Sequence, residues 1–185
     1  MFCFEGDWER DLRRSTPSVR SLIELLTPLG IVQAVYRDVG TVEELTYYLN
    51  IWLGQERYED YRLGWFEFHG SSGEIEIGGC ALTFGELADL IARRGAGRLL
   101  HLGSCSTCDV DESELESFRR LTKLRLVTGF DNEVEWVESA AFAMLYFQML
   151  QVYARPADAV KAALTNYSQL TSKLGFRSTP VYLPW

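Results

Sequence analysis

Short apolar runs alternate along this chain with longer segments of helical periodicity. The runs are rich in β-branched and aromatic residues, and the five clearest read MFCFE, IVQAVYRDV, LGWFEFHG, GRLLHLGSC and LRLVTGF. Apolar strands separated by helices are typical of crossover units on a parallel sheet. The pattern therefore predicts an α/β fold, a three-layer sandwich in which helices flank a mostly parallel sheet of about six strands.

Local signals predict where the helices begin. Four helical segments are preceded by a polar residue with Glu three positions later, which is a capping signal. These polar residues are Thr41, Thr83, Ser113 and, in a weaker form, Asn132. The first helix is predicted to begin at Thr16, with Pro17 in its first turn. Two more helices are expected near 134–153 and 156–173.

Two further segments are predicted to be strands of a different kind. The sequence EIEIGG at 74–79 alternates polar and apolar residues, as an exposed hairpin or edge strand at the rim does. The tail FRSTPVYLPW is a candidate last strand. No repeat, linker or shift of composition divides the chain, so a single domain over 1–185 is expected.

Composition and charge exclude several functions. Of the 185 residues, 47% are hydrophobic and 24% are charged, which is typical of a globular domain. The net charge of −8 repels phosphate, so nucleic acid is not an expected partner. The apolar stretch 139–154 is shorter than a membrane span, and the first residues do not resemble a signal peptide. We expect no membrane contact, a cytoplasmic location and, for the four cysteines, free thiols.

Reactive side chains follow two of the predicted strands. The third run ends in His69, and the fourth continues to Cys105. Reacting groups gather at the carboxyl ends of parallel strands, so the imidazole and the thiol are expected to face one crevice. A thiol needs a nearby base to act as a nucleophile. His101 is a poorer base, because it lies ~13 Å back along the same strand, and it is expected in the core.

These residues resemble the caspase-like class of cysteine peptidases, also called the caspase-hemoglobinase fold. Shared features are a hydrophobic strand that ends in His-Gly, a helix, and a hydrophobic strand that ends in a small residue and Cys. The class includes caspases, metacaspases, separase and CHAT proteins, and the chain looks closest to short bacterial members. The 36 residues between His69 and Cys105 fit one crossover helix and a hairpin.

The resemblance implies a role for each of these residues in cleaving a peptide or protein substrate without a cofactor. His69 is the general base or ion-pair partner, and Cys105 is the nucleophile. The backbone amides of Gly70 and Cys105 are the donors to the oxyanion. Similarity to metacaspase-like members suggests cleavage after basic residues, with specificity candidates Glu5, Asp7, Asp109, Asp111 and Asp131.

Departures from the family pattern leave alternatives open. Only a short acidic segment, 108–117, follows the Cys strand, so activation by chain cleavage is not expected. The chain then acts with a separate activator protein, or it is an inactive interaction or signalling module. The apolar helix 134–153 is either core or a homodimer interface.

Two other chemistries at the cysteines are weaker alternatives. Cys105 and Cys108 form a CxxC, which in an α/β setting suggests thiol-disulfide exchange. The acidic residues that follow disfavour it, because negative charge raises a thiol pKa. A metal site at His69, Cys105 and Cys108 lacks the second Cys/His pair of a structural zinc, so no metal is expected.

Overall fold

The computed structural model describes residues 1–8 and 17–183, and these contain nine strands and seven α-helices. The strands are β1 (Phe2–Glu5), β2 (Val35–Asp38), β3 (Leu63–Glu67), β4 (His69–Ser71), β5 (Glu74–Ile77), β6 (Cys80–Thr83), β7 (Leu99–Leu102), β8 (Leu126–Phe130) and β9 (Phe176–Thr179). The helices are α1 (Arg20–Leu26), α2 (Val42–Gly54), α3 (Phe84–Ile91), α4 (Glu112–Thr122), α5 (Trp136–Val152), α6 (Pro156–Asn166) and α7 (Ser168–Leu174).

Six strands form one sheet in the order β2-β1-β3-β7-β8-β9. The first five strands are parallel, and β9 pairs with β8 in the antiparallel direction. The predicted α/β fold with a mostly parallel sheet of six strands is therefore confirmed, and the tail does supply the last strand.

The segment 74–79 forms a hairpin in a separate small sheet. Strands β4, β5 and β6 pair in antiparallel order, with β5 in the centre. The predicted hairpin is confirmed, but β5 is not an edge strand. His69 also belongs to this small sheet, whereas its sequence run continued directly from β3. Phe68 separates the two strands, so the third run changes sheets there.

Helices cover both faces of the main sheet, which explains why its strands read as continuous apolar runs. On one face, α2, α3 and α4 pack on alternate residues such as Phe4, Phe66 and Leu102. On the other, α1, α5 and α6 pack on Cys3 and Trp65. The middle of α5 is buried, so this helix is core there, and whether it also forms a dimer interface stays a prediction.

Two of the predicted caps form as expected. The Thr41 hydroxyl accepts a hydrogen bond from the Glu44 amide at 3.2 Å at the start of α2. Thr83 and Glu86 form a complete capping box at the start of α3. Each satisfies amide groups that the first helical turn leaves without a partner.

The other two cap predictions are wrong. Helix α4 begins at Glu112, so Ser113 lies inside it; the Asp111 carbonyl already accepts the Glu114 and Leu115 amides. Helix α5 begins at Trp136, and the Asn132 side chain donates instead to the Lys173 carbonyl at 3.0 Å. A tertiary contact has replaced the local cap.

Two helix boundaries also differ from the sequence expectation. Thr16 lies outside the described residues, and Pro17 precedes α1, which begins at Arg20. The predicted helix 156–173 is two helices, α6 and α7, because Tyr167 leaves the helical conformation with ψ 38°. Of the helices in the described residues, none is long and apolar enough to cross a membrane.

Candidate active site

Three segments of the chain follow strands at the carboxyl edge of the main sheet. Trp8 follows β1, His69 follows β3 and Cys105 follows β7. The chain order reverses at β1, which lies between β2 and β3, so the crevice between β1 and β3 is a topological switch point. Open α/β sheets bind ligands at such points.

His69 is exposed and is held by Trp8. Its Nε2 lies 2.9 Å from the Trp8 carbonyl oxygen, and the two rings make an edge contact with centroids 5.2 Å apart. A carbonyl oxygen can only accept, so Nε2 carries the hydrogen. In the neutral imidazole, Nδ1 is then the nitrogen that can accept a proton.

Cys105 begins a tight turn after β7. Ser106, the next residue, has a φ of +50°, which is uncommon for a residue other than glycine and concentrates at functional sites. The Cys105 sulfur lies 3.5 Å from the Val134 amide nitrogen and 3.7 Å from the Val134 carbonyl oxygen. An amide that points at sulfur stabilises negative charge there.

Gly70, which follows His69 on β4, packs against the turn that contains Cys105. A Cβ at Gly70 would lie 2.7 Å from the Cys105 carbonyl oxygen and would overlap the Thr107 hydroxyl, so only glycine fits. Among the described residues, no backbone acceptor takes the Cys105 amide. The two predicted oxyanion residues are therefore in contact, while their role stays a prediction.

An open pocket of about 440 Å³ borders Cys105. Its other lining residues are Gly70, Ser71, Ser72, Ser106, Glu133, Val134 and Glu135. His69 is not among the described residues that line this pocket. Its ring contacts Trp8 instead. Two exposed carboxylates, on Glu133 and Glu135, make the pocket acidic.

The residues predicted to set specificity lie elsewhere. Glu5 is buried and its carboxylate is occupied by hydrogen bonds within the protein. Asp7, Asp109 and Asp111 are exposed. Asp131 is half-buried, and burial raises its carboxyl pKa. None of the five belongs to the described lining of the Cys105 pocket, so a basic-residue preference based on them stays a prediction.

His101 lies in the core, as the sequence predicted. It is fully buried, and its Nδ1 lies 3.0 Å from the Thr128 hydroxyl. Burial lowers the imidazole pKa to about 3, so the ring is neutral at physiological pH. Its aromatic neighbours are Phe130, Tyr146 and Phe147.

The second cysteine of the CxxC is inaccessible. Cys108 is fully buried, and burial raises its thiol pKa to about 12. Neither Cys105 nor Cys108 is in a disulfide. No group of three or more His, Cys, Asp or Glu side chains within 1–8 and 17–183 could hold a metal ion.

Glu67 is a site residue that sequence reasoning missed. It ends β3 in register with Glu5 on β1, is 6% exposed, and its carboxyl accepts the Trp65 indole N–H. A side chain at Gly103 would overlap this carboxyl, so Gly103 leaves room for it. Burial, with a smaller contribution from the Glu5 charge, raises the Glu67 pKa to about 8. The available signal was a single Glu that ends an otherwise apolar run.

Comparison with known proteins gives the family of the chain. No curated protein matches the sequence. Residues 1–179 match the family model described as a family of unknown function (DUF6642). Because this match covers nearly the whole chain, the protein belongs to the DUF6642 family.

Proposed function

We propose that the protein is a cysteine endopeptidase in which Cys105 is the nucleophile and His69 is the general base. One observation carries this proposal: Trp8 holds Nε2 of His69 as a donor, which leaves Nδ1 as the acceptor on strand β4, whose next residue, Gly70, contacts Cys105. The position of His69 beside a switch point and the resemblance to caspase-like peptidases support it.

The proposed reaction proceeds by covalent catalysis. Nδ1 of His69 takes the thiol proton of Cys105, and the sulfur forms a bond to the carbonyl carbon of the peptide. The imidazolium then gives this proton to the amine nitrogen as the C–N bond breaks, which leaves a thioester on Cys105. Water activated by His69 hydrolyses the thioester and restores the thiol.

Backbone amides are the proposed donors to the oxyanion. The Cys105 amide has no backbone acceptor among the described residues, and Gly70 packs against the carbonyl oxygen of the same residue. Donors that are fixed in place before the reaction stabilise the negative charge of the tetrahedral intermediate without reorganisation.

A basic residue next to the cleaved bond is the proposed preference. Glu133 and Glu135 on the pocket lining support it, because acidic walls attract a cationic side chain. Because the connection from β7 to α4 is short, we further propose that a separate protein activates the enzyme, rather than cleavage of its own chain. The proposed location is the cytoplasm.

A second candidate function is a catalytically inactive interaction module on the same scaffold. The observation that favours it is that His69 is held against Trp8 and is not among the described residues that line the Cys105 pocket. Thiol-disulfide exchange is a weaker candidate, because only a thiolate attacks a disulfide and burial raises the Cys108 thiol pKa to about 12.

Covalent labelling tests the peptidase proposal. We expect a peptidyl chloromethyl ketone with a basic terminal residue to label Cys105 under reducing conditions, as read by intact mass and peptide mapping. His69→Ala should slow this labelling by about 10²-fold or more, because the base that activates the thiol is gone.

Cys80 supplies the matched control for this experiment. It is an exposed thiol on β6, so it reports the intrinsic reactivity of the reagent toward any accessible cysteine. Labelling of Cys105 no faster than that of Cys80, with and without candidate activators, would count against the peptidase and favour the interaction module.

A further inference from the structure

The buried carboxylate of Glu5, at the end of β1, connects the residues after β1, the start of α1 and strand β2. Oε1 accepts the Trp8 indole N–H at 2.8 Å and the Val19 amide at 3.0 Å. Oε2 lies 2.6 Å from the Ser18 hydroxyl and 2.6 Å from the Tyr36 hydroxyl. The side chain is 3% exposed, so these donors replace water around the carboxylate.

One of these bonds leads directly to the histidine. Trp8 donates its indole N–H to Glu5, and the carbonyl of the same residue accepts the N–H from Nε2 of His69 at 2.9 Å. The indole ring also touches the imidazole edge. The orientation of His69 therefore depends on Trp8, and the position of Trp8 depends on Glu5.

We infer that Glu5 is a positioning residue for His69, acting through Trp8. It anchors the indole, so that the Trp8 carbonyl stays where it selects the tautomer of His69 protonated on Nε2. This inference rests on the proposed function for its catalytic meaning, but the tautomer itself is a property that can be measured without any substrate.

The donors around Glu5 require a side chain that can accept hydrogen bonds. Two carboxylate oxygens accept all the donors that converge on Glu5. A methionine has a similar length but only a weakly accepting sulfur, so Glu5→Met leaves the Trp8 indole N–H and the Val19 amide without an acceptor and releases the indole. Trp8→Phe removes the indole N–H and replaces the indole with a smaller aromatic ring, and it retains the backbone carbonyl that contacts His69.

Nitrogen-15 NMR of the two histidines tests the inference in mildly alkaline buffer. In the unmodified protein we expect His69 to be protonated on Nε2. In Glu5→Met and in Trp8→Phe we expect a mixture of tautomers. Peptide hydrolysis should show a kcat about 10- to 100-fold lower at nearly unchanged KM, as for a misplaced catalytic group.

Two references make the result specific. Ser18→Ala removes a donor to Glu5 that does not lead to His69, so it should keep the Nε2 tautomer. The buried His101 should give unchanged signals in every variant and thereby report that the core is folded.

The outcomes separate this inference from the proposed function. An unchanged His69 tautomer in both folded variants overturns the positioning role, whatever the activity. A shifted tautomer in a protein that cleaves no peptide and labels no thiol supports the positioning role and removes the peptidase.

Discussion

Replacing Cys105 with alanine is expected to abolish peptide hydrolysis, and replacing His69 with alanine to reduce it by about 10³-fold or more. Without the sulfur no thioester forms, and without the imidazole nothing takes up the thiol proton or delivers it to the leaving amine. The double variant should be no slower than Cys105→Ala alone, because the two residues act as one unit. Initial rates on a fluorogenic peptide with a basic residue before the cut measure both effects.

Cys80→Ala is the control for these rates. Cys80 lies on β6 and is exposed. Its loss should change the hydrolysis rate less than about twofold, as small as the effect of an ordinary surface substitution. If Cys105→Ala retains the full hydrolysis rate, another group is the nucleophile and the proposed mechanism is wrong.

Glu67→Gln is expected to increase the stability of the protein at alkaline pH but not at acidic pH. Burial raises the Glu67 pKa to about 8 from its usual 4.5. The folded state therefore favours the neutral carboxyl. The contribution of this neutral carboxyl to the stability of the fold is fully present below about pH 4.5 and is lost as the pH rises through 8. Glutamine keeps an acceptor for the Trp65 indole and cannot ionise.

The expected gain is about 3 to 5 kcal/mol in unfolding free energy at pH 9, obtained from the raised pKa. Urea unfolding between pH 5 and pH 9 measures it. Glu43→Gln, at an exposed position near the start of α2, should show no such trend. A Glu67→Gln effect that stays constant over this range would contradict a neutral carboxyl at this position.

Much of the fold could be predicted because its signals are local. A parallel sheet covered on both faces leaves continuous apolar runs in the sequence, and five such runs contain five of the six strands of the main sheet. Thr83 and Glu86 predicted the start of α3 correctly, since both halves of a capping box lie within one turn.

Errors occurred where distant contacts override local signals. Asn132 has the sequence of a cap, but its amide binds the Lys173 carbonyl, 41 positions away. Helix α1 begins beside Glu5, whose carboxylate accepts the Val19 amide, and no local pattern indicates a cap of this kind. Such partners become visible only once the chain is folded.

In the candidate site, too, only the residues with a local sequence signal could be predicted. His69 and Cys105 stand out because a reactive residue follows each apolar run. Trp8 could not be identified, because it acts through its carbonyl, which every residue has, and its partner is 61 positions away. Glu67 was missed because burial, rather than its residue type, gives it an unusual pKa.

The most direct measurement of the central claim is the distance between Nδ1 of His69 and Sγ of Cys105 in a crystal structure of the protein bound to a peptidyl ketone. We expect about 4 to 6 Å or less, with Nε2 still bound to the Trp8 carbonyl. A separation beyond about 10 Å, with the ligand in the Cys105 pocket, would contradict a His69–Cys105 dyad.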